Sequence, residues 1–134
     1  MIVDASVALK WLVDEDHSDV ARALLGRVDL MAPTLIHAEV GNTIWKKRRR
    51  GEFSDEADLA SLPGRLASIL PTIDETPMMD RALTLAIEMD HPIYDCVYLA
   101  VAAALDQDLV TADLRFASRL SSYPGPARVR TLSS

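Results

Sequence analysis

The chain has 134 residues, with 14 Lys and Arg against 20 Asp and Glu, a formal charge of −6. The length fits one compact domain, and 49% hydrophobic with 25% charged residues is the balance of a folded protein, not a disordered one. Taken alone, the acidic balance argues against a protein that coats nucleic acid through a basic surface.

The predicted elements alternate along the chain. Residues 1–4 open as a strand around Ile2-Val3, and 5–14 carry a helical apolar stripe at Val7, Ala8, Trp11 and Leu12. A second helix is predicted over 18–28 from Val20, Ala21, Leu24 and Leu25, then a short strand over 29–33 around Leu30-Met31. Residues 34–50 read as a long helix stopped by Gly51. Ser54 reads as the N-cap of a further helix carrying Leu59, Leu62, Leu66 and Ala67, with Pro63-Gly64 as an irregularity. A third strand falls in 69–73, a helix over 80–89, an apolar helix over 95–105, a fourth strand over 109–112, a short helix over 114–120 and a fifth strand over 128–132. Strands alternating with helices predict an α/β fold with right-handed crossovers and a parallel sheet covered on both faces.

No repeat or linker divides the chain, so residues 1–132 are expected to form one domain, with Ser133-Ser134 as a frayed end. The longest apolar run, Cys96 to Leu105, falls well short of the ~20 residues of a bilayer span. No secretory signal is visible before Asp4. A cytoplasmic protein without membrane contact is the expectation. Cys96 is the only cysteine, which leaves no intrachain disulfide and no thiolate metal cluster, and it reads as a small buried apolar residue.

In open α/β sheets, ligands bind beyond the carboxyl ends of the strands. Four acids fall there. Asp4 ends the first strand, Glu39 lies about two turns into the helix leaving the second, Asp95 begins the apolar helix, and Asp113 follows the fourth strand. Asp74, at the end of the third strand, is a rival. Taken singly, Asp4, Asp95 and Asp113 could each cap a helix, a role worth ~1 kcal/mol. Glu39 is harder to place that way, because it stands in the apolar and small stretch Leu35-Ile36-His37-Ala38-Glu39-Val40-Gly41. Several carboxylates at one sheet end repel and raise one another's pKa unless a cation compensates. A hard ion such as Mg²⁺ or Mn²⁺ prefers oxygen ligands and supplies that charge. Two such ions ~3.5–4 Å apart can activate water for an in-line phosphoryl displacement. There is no P-loop, no GxGxxG and no Cys–His zinc set, and His17, His37 and His91 lack metal spacing.

Four segments carry a family resemblance: Met1-Ile2-Val3-Asp4-Ala5-Ser6; Ala38-Glu39-Val40-Gly41-Asn42; His91-Pro92-Ile93-Tyr94-Asp95-Cys96-Val97-Tyr98-Leu99-Ala100; and Val110-Thr111-Ala112-Asp113 with Phe116. In this order they resemble the motifs of PIN-domain proteins, and most of all the VapC toxins of bacterial toxin–antitoxin pairs, over residues 1 to about 132. The resemblance implies a PIN-like three-layer sandwich with strand order 3-2-1-4-5, and a Mg²⁺- or Mn²⁺-dependent endoribonuclease. It implies Asp4, Glu39, Asp95 and Asp113 as the catalytic acids. Asp4, Asp95 and Asp113 would form the metal set, with Glu39 and Asp113 completing the shell or positioning the attacking water. Ser6, Asn42 and Thr111 would support them. The partners it implies are an RNA substrate and a cognate antitoxin, in a homodimer or a heteromeric complex with that antitoxin.

Lys46-Lys47-Arg48-Arg49-Arg50 holds five of the 14 basic residues and closes the Glu39 helix. At 1.5 Å per residue it starts roughly 10–17 Å along the axis from Glu39. RNA phosphates, an acidic partner segment, or a solvated helix end favoured by the helix dipole all suit it. Trp11 and Trp45 are expected in the core or an interface, with stacking on RNA bases as the sharper alternative. Two other functions are weighed. A phosphoacceptor domain using Asp74 would want paired acids after the first strand and a late Lys, but Asp4 stands alone and no Lys follows Lys47. A PIN-like scaffold that binds without cutting is opposed by the four intact acids.

Overall fold

The computed structural model describes residues 1–121 and 128–132. The elements are Ile2–Val3 (β1), Ala5–Leu12 (α1), Ser18–Ala23 (α2), Ala32–Pro33 (β2), Leu35–Arg49 (α3), Leu62–Ile69 (α4), Thr72–Ile73 (β3), Met79–Met89 (α5), Ile93–Ala104 (α6), Leu109–Thr111 (β4), Leu114–Ser121 (α7) and Val129–Thr131 (β5). Tight 3-10 turns follow α2 at Leu24–Gly26 and precede α5 at Thr76–Met78. The expected frayed end, Ser133-Ser134, lies outside the described residues.

The backbone of β1 is bonded on both sides. Ile2 N–H donates to the Asp108 carbonyl (2.7 Å) and Asp4 N–H to Val110 (3.3 Å), while on the other side Val3 N–H donates to Met31 (3.1 Å). All pairings are parallel: β1 with β4, β4 with β5, β2 with β3, and a single bridge from Ile2 to Met31. The order is therefore β3-β2-β1-β4-β5, as the resemblance implied. The reduction of the β1–β2 seam to one bridge has a local cause. Ala32 and Thr34 donate to the β3 side, to Pro71 and Ile73. Alternation turns position 33 toward β1, and Pro33 has no N–H to give.

Helices flank this parallel sheet. α1 packs on α2, α3 and α4; α5 packs on α6; α6 lies on β1, β2 and β4; α7 lies on β4 and β5. Ile2, Val3 and Leu109 have no exposed surface, as expected for parallel strands covered on both faces. The predicted apolar helix is the central one, buried continuously from Cys96 to Ala102. Burial pushes the Cys96 thiol up to about 11, which suits an inert apolar filler. Trp11 is buried, and its indole N–H donates to the Ala21 carbonyl (2.8 Å), tying α2 to α1. Among the described residues no helix is long and apolar enough to cross a membrane.

Several boundaries differ from expectation. No helix starts at Ser54. Residues 54–61 form turns and α4 begins at Leu62, with Pro63 in its first turn. A proline inside a helix removes a bond and collides with the preceding turn, whereas the first turn has no bond to lose. Pro63 therefore marks the start rather than an irregularity. Ile69 belongs to α4 rather than to the third strand, and the second helix ends early, at Ala23. α6 starts at Ile93, directly after Pro92, which places Asp95 inside its first turn rather than at the cap.

The start of α3 is held from a distance. Thr34 occupies the N-cap position without capping through its side chain. Instead the Glu75 carboxylate, which follows β3, accepts from Leu35 N–H (2.8 Å) and from the Thr34 hydroxyl (2.5 Å). This clamp fixes the helix that carries Glu39.

Candidate active site

Asp4 sits where β1 ends and α1 begins, and only 5% of its surface is exposed. Its Oδ1 accepts from the Ser6 hydroxyl (2.6 Å) and from Val7 N–H (3.2 Å), so the helix-capping role is realised. Its Oδ2 accepts from the hydroxyl of Thr111, the last residue of β4. Ser6 Oγ also accepts from Ala112 N–H (2.9 Å), and Thr111 Oγ1 from Asp113 N–H (3.0 Å). Two hydroxyls thus lock the carboxyl ends of β1 and β4 around one carboxylate. Burial pushes Asp4 up to about 6; the bonds from Ser6, Thr111 and Val7 oppose the rise, and the Asp95 charge adds to it.

Glu39 faces the same place from α3. Burial raises its pKa, the Tyr98 hydroxyl opposes that, and the charges of Asp95 and Asp4 add to it. Glu39 Oε1 and the Tyr98 hydroxyl are buried side by side, yet neither completes a hydrogen bond of good geometry among the described residues. Tyr98 itself is raised by burial and by the Glu39, Asp4 and Asp95 charges around it. Sequence reading missed this residue, which looks like one more apolar position of α6. The available signal was its spacing of three from Asp95, which puts both on one helix face.

Asp95 lies in the first turn of α6, where the helix dipole favours negative charge. His91 Nε2 lies 2.7 Å from its Oδ2, and the imidazole is stacked on Phe116 with centroids 5.6 Å apart. His91 is thus a hydrogen-bonded packing residue that also fixes a candidate acid. Asp113 is placed differently. It is exposed, and its Oδ1 accepts from Arg115 N–H (3.0 Å) and Phe116 N–H (3.1 Å), capping α7.

Asn42 is exposed on α3, and among the described residues its side chain has no hydrogen bond. Asp74 is exposed just after β3 and accepts from Thr76 N–H (3.0 Å) and hydroxyl (2.7 Å), which hold its carboxyl below the usual range. That local turn gives it no link to the other acids. His37 lies on α3, partly buried. His17 adopts a left-handed backbone ahead of α2.

The donor set Asp4, Glu39 and Asp95 is hard oxygen, which suits Mg²⁺ or Mn²⁺. Two of its members are raised by burial and by their neighbours' negative charge, and one buried oxygen is orphaned. As they stand, however, no group of three or more His, Cys, Asp or Glu among the described residues is arranged to hold a metal ion. The carboxylates are turned onto protein donors: Asp4 onto Ser6, Val7 and Thr111, Asp95 onto His91, and Asp113 onto its own helix. The chemistry fits a hard cation, and holding one requires some of these bonds to be exchanged.

Residues 1–119 match the family model described as PIN domain. A protein named Ribonuclease VapC1, from Mycobacterium tuberculosis, is 33% identical over 128 residues, covering 92% of this chain and 90% of that protein. Ribonuclease VapC3 from Pyrobaculum aerophilum is 29% identical over 129 residues, covering 94% and 98%. Among solved structures, PAE2754 from Pyrobaculum aerophilum superposes with a TM-score of 0.74 at 25% identity, covering 98% of this chain and 83% of that one.

Proposed function

This chain belongs to the PIN-domain family, and from that premise we propose that it is a metal-dependent endoribonuclease acting as the toxin of a toxin–antitoxin pair. One observation carries the reading: Asp4, Glu39 and Asp95 act on one another electrostatically at the carboxyl end of the sheet. The names of the two VapC relatives supply the substrate class, RNA.

In this reading Asp4, Glu39 and Asp95 would hold Mg²⁺ or Mn²⁺, with Asp113 as the fourth acid of the set. A bound ion of this kind neutralises the carboxylates, activates water and stabilises the oxygens of an in-line phosphoryl displacement. The chain's own residues do the positioning. Ser6 and Thr111 grip opposite oxygens of Asp4 and keep that carboxylate aligned. His91, steadied by Phe116, holds one oxygen of Asp95 and leaves the other available. Glu39 offers Oε1, an acceptor that no protein donor occupies. Without a cation this acidic pocket repels a phosphodiester, so seating of the scissile phosphate at these acids, and hence cleavage, should depend on metal.

The same reading includes a cognate antitoxin that blocks the toxin, a homodimer or a heteromeric complex with that antitoxin, and a cytoplasmic setting. The test is induced expression of the wild type and of Asp95→Asn, with new RNA 5′ ends mapped and growth followed. The wild type should arrest growth and produce a discrete set of ends that Asp95→Asn lacks. Equal ends from both proteins would place the cleavage chemistry elsewhere.

A further inference from the structure

The basic run that closes α3 is not one surface. Lys47 is drawn inward between Glu15 (2.9 Å) and Glu52 (3.3 Å), with 17% of its side chain exposed. Arg48 reaches Asp55 at 3.6 Å, and Arg50 reaches Glu52 at 3.6 Å. Lys46 and Arg49 have no ion pair among the described residues. They flank Trp45, which is 53% exposed, and the Arg49 guanidinium lies 5.3 Å from the indole centroid. Trp45, Lys46, Arg49 and Arg50 line one open surface cleft. Asn42, Trp45, Lys46 and Arg49 are exposed at helical spacing, so they share a face of α3 that leads back to Glu39.

Whereas the other Trp, Trp11, is buried, Trp45 is half open to solvent. Here it is joined to a guanidinium plane and to cations that no carboxylate neutralises. A planar aromatic beside a guanidinium, with cations around it, is the chemistry of a stacking platform for unpaired bases. An apolar protein segment would find only one ring to bury. We propose that this face binds the single-stranded RNA flanking the cut, with Trp45 and Arg49 stacking a base and Lys46 contacting a phosphate. The proposal rests on the ribonuclease reading above. It divides the basic run into a docking face, Lys46 with Arg49, and a paired part, Lys47 with Arg48 and Arg50.

The test uses the full chain and a fluorescent single-stranded RNA, with binding measured in chelator and cleavage measured separately in Mn²⁺. Trp45→Ala should weaken binding between about five- and a hundredfold, the range of one lost base stack, and Trp45→Phe should restore most of it. Lys46→Gln should weaken binding and lower the slope of log affinity against log salt by about 0.7, one phosphate contact on a single strand. Arg27→Gln removes the same charge outside this cleft, from a guanidinium already paired with Asp29, and should change binding less than twofold. In cleavage, Trp45→Ala should raise KM and leave kcat nearly unchanged. Unaltered RNA affinity in Trp45→Ala overturns the proposal, and loss of antitoxin binding alongside it would hand the face to a protein partner. If the wild type binds RNA through Trp45 but never cuts it, the docking face stands and the nuclease reading fails.

Discussion

Asp4 is a carboxylate with 5% exposure and no cation beside it, so the metal-free protein carries a cost there. Its pKa rises from 3.8 to about 6 on folding. Between those values the folded protein keeps a proton that the unfolded chain releases. The stability this group provides is therefore full below about pH 4 and is lost as pH rises through about 6. Two units correspond to about 3 kcal/mol. Asp29 and Asp108 act in the opposite sense and at lower pH, because Arg27 and Arg128 hold them below the usual range. Asp4→Asn keeps an acceptor for Ser6 and Val7 and removes the charge. In chelator at pH 7.5 it should be more stable than the wild type by about 1–3 kcal/mol, while cutting no RNA. Thermal melts from pH 4 to 8 check this, and parallel pH profiles for the two proteins would refute it. The position of Asp4 was legible because it directly follows the first strand. Its grip by Thr111 was not, since that pair is separated by 107 residues and meets only when β1 and β4 pair.

α3 shows how an element is fixed by more than its own sequence. Its apolar face and its stop at Gly51, which adopts φ +74, follow from local pattern. Its beginning does not, because the cap comes from Glu75, 41 residues away from Thr34. Removing a capping acceptor of this kind costs about 1–2 kcal/mol. Glu75→Ala should lower stability by that amount, read from the urea midpoint at constant slope. It should also raise the KM for metal, because α3 carries Glu39. A stability loss without any change in metal dependence would make Glu75 a purely structural cap. α4 illustrates the converse error. Ser54-Asp55-Glu56 has the chemistry of a helix start, yet the chain cannot remain helical through Pro63, so the turn signals and the cap signal coincide and only the later start survives.

At the scale of the whole molecule, the fold collects negative charge at one sheet end and leaves it uncompensated by the protein. A ligand that binds only the native state stabilises it by RT ln(1 + [L]/Kd), about 2.7 kcal/mol at a hundredfold excess over Kd. Mn²⁺ or Mg²⁺ at such excess should raise the melting temperature by several degrees, and the shift should vanish when Asp4→Asn and Asp95→Asn are combined. An equal shift in the double variant would move the metal site away from these acids. The sequence by itself determined the alternation of strands and helices, the parallel sheet and the acids at its carboxyl end, because hydrophobic period and turn chemistry are local properties. Through its family motifs it also carried the strand order that the pairings display. Only the tertiary structure decided which acids share a field. It brought Asp4, Glu39 and Asp95 together and added Tyr98 and His91. It turned Asp113 onto its own helix, and it divided the basic run into paired and unpaired cations. Those outcomes depend on distances between groups far apart in the chain, and burial and Coulomb energy are set by those distances rather than by sequence neighbours.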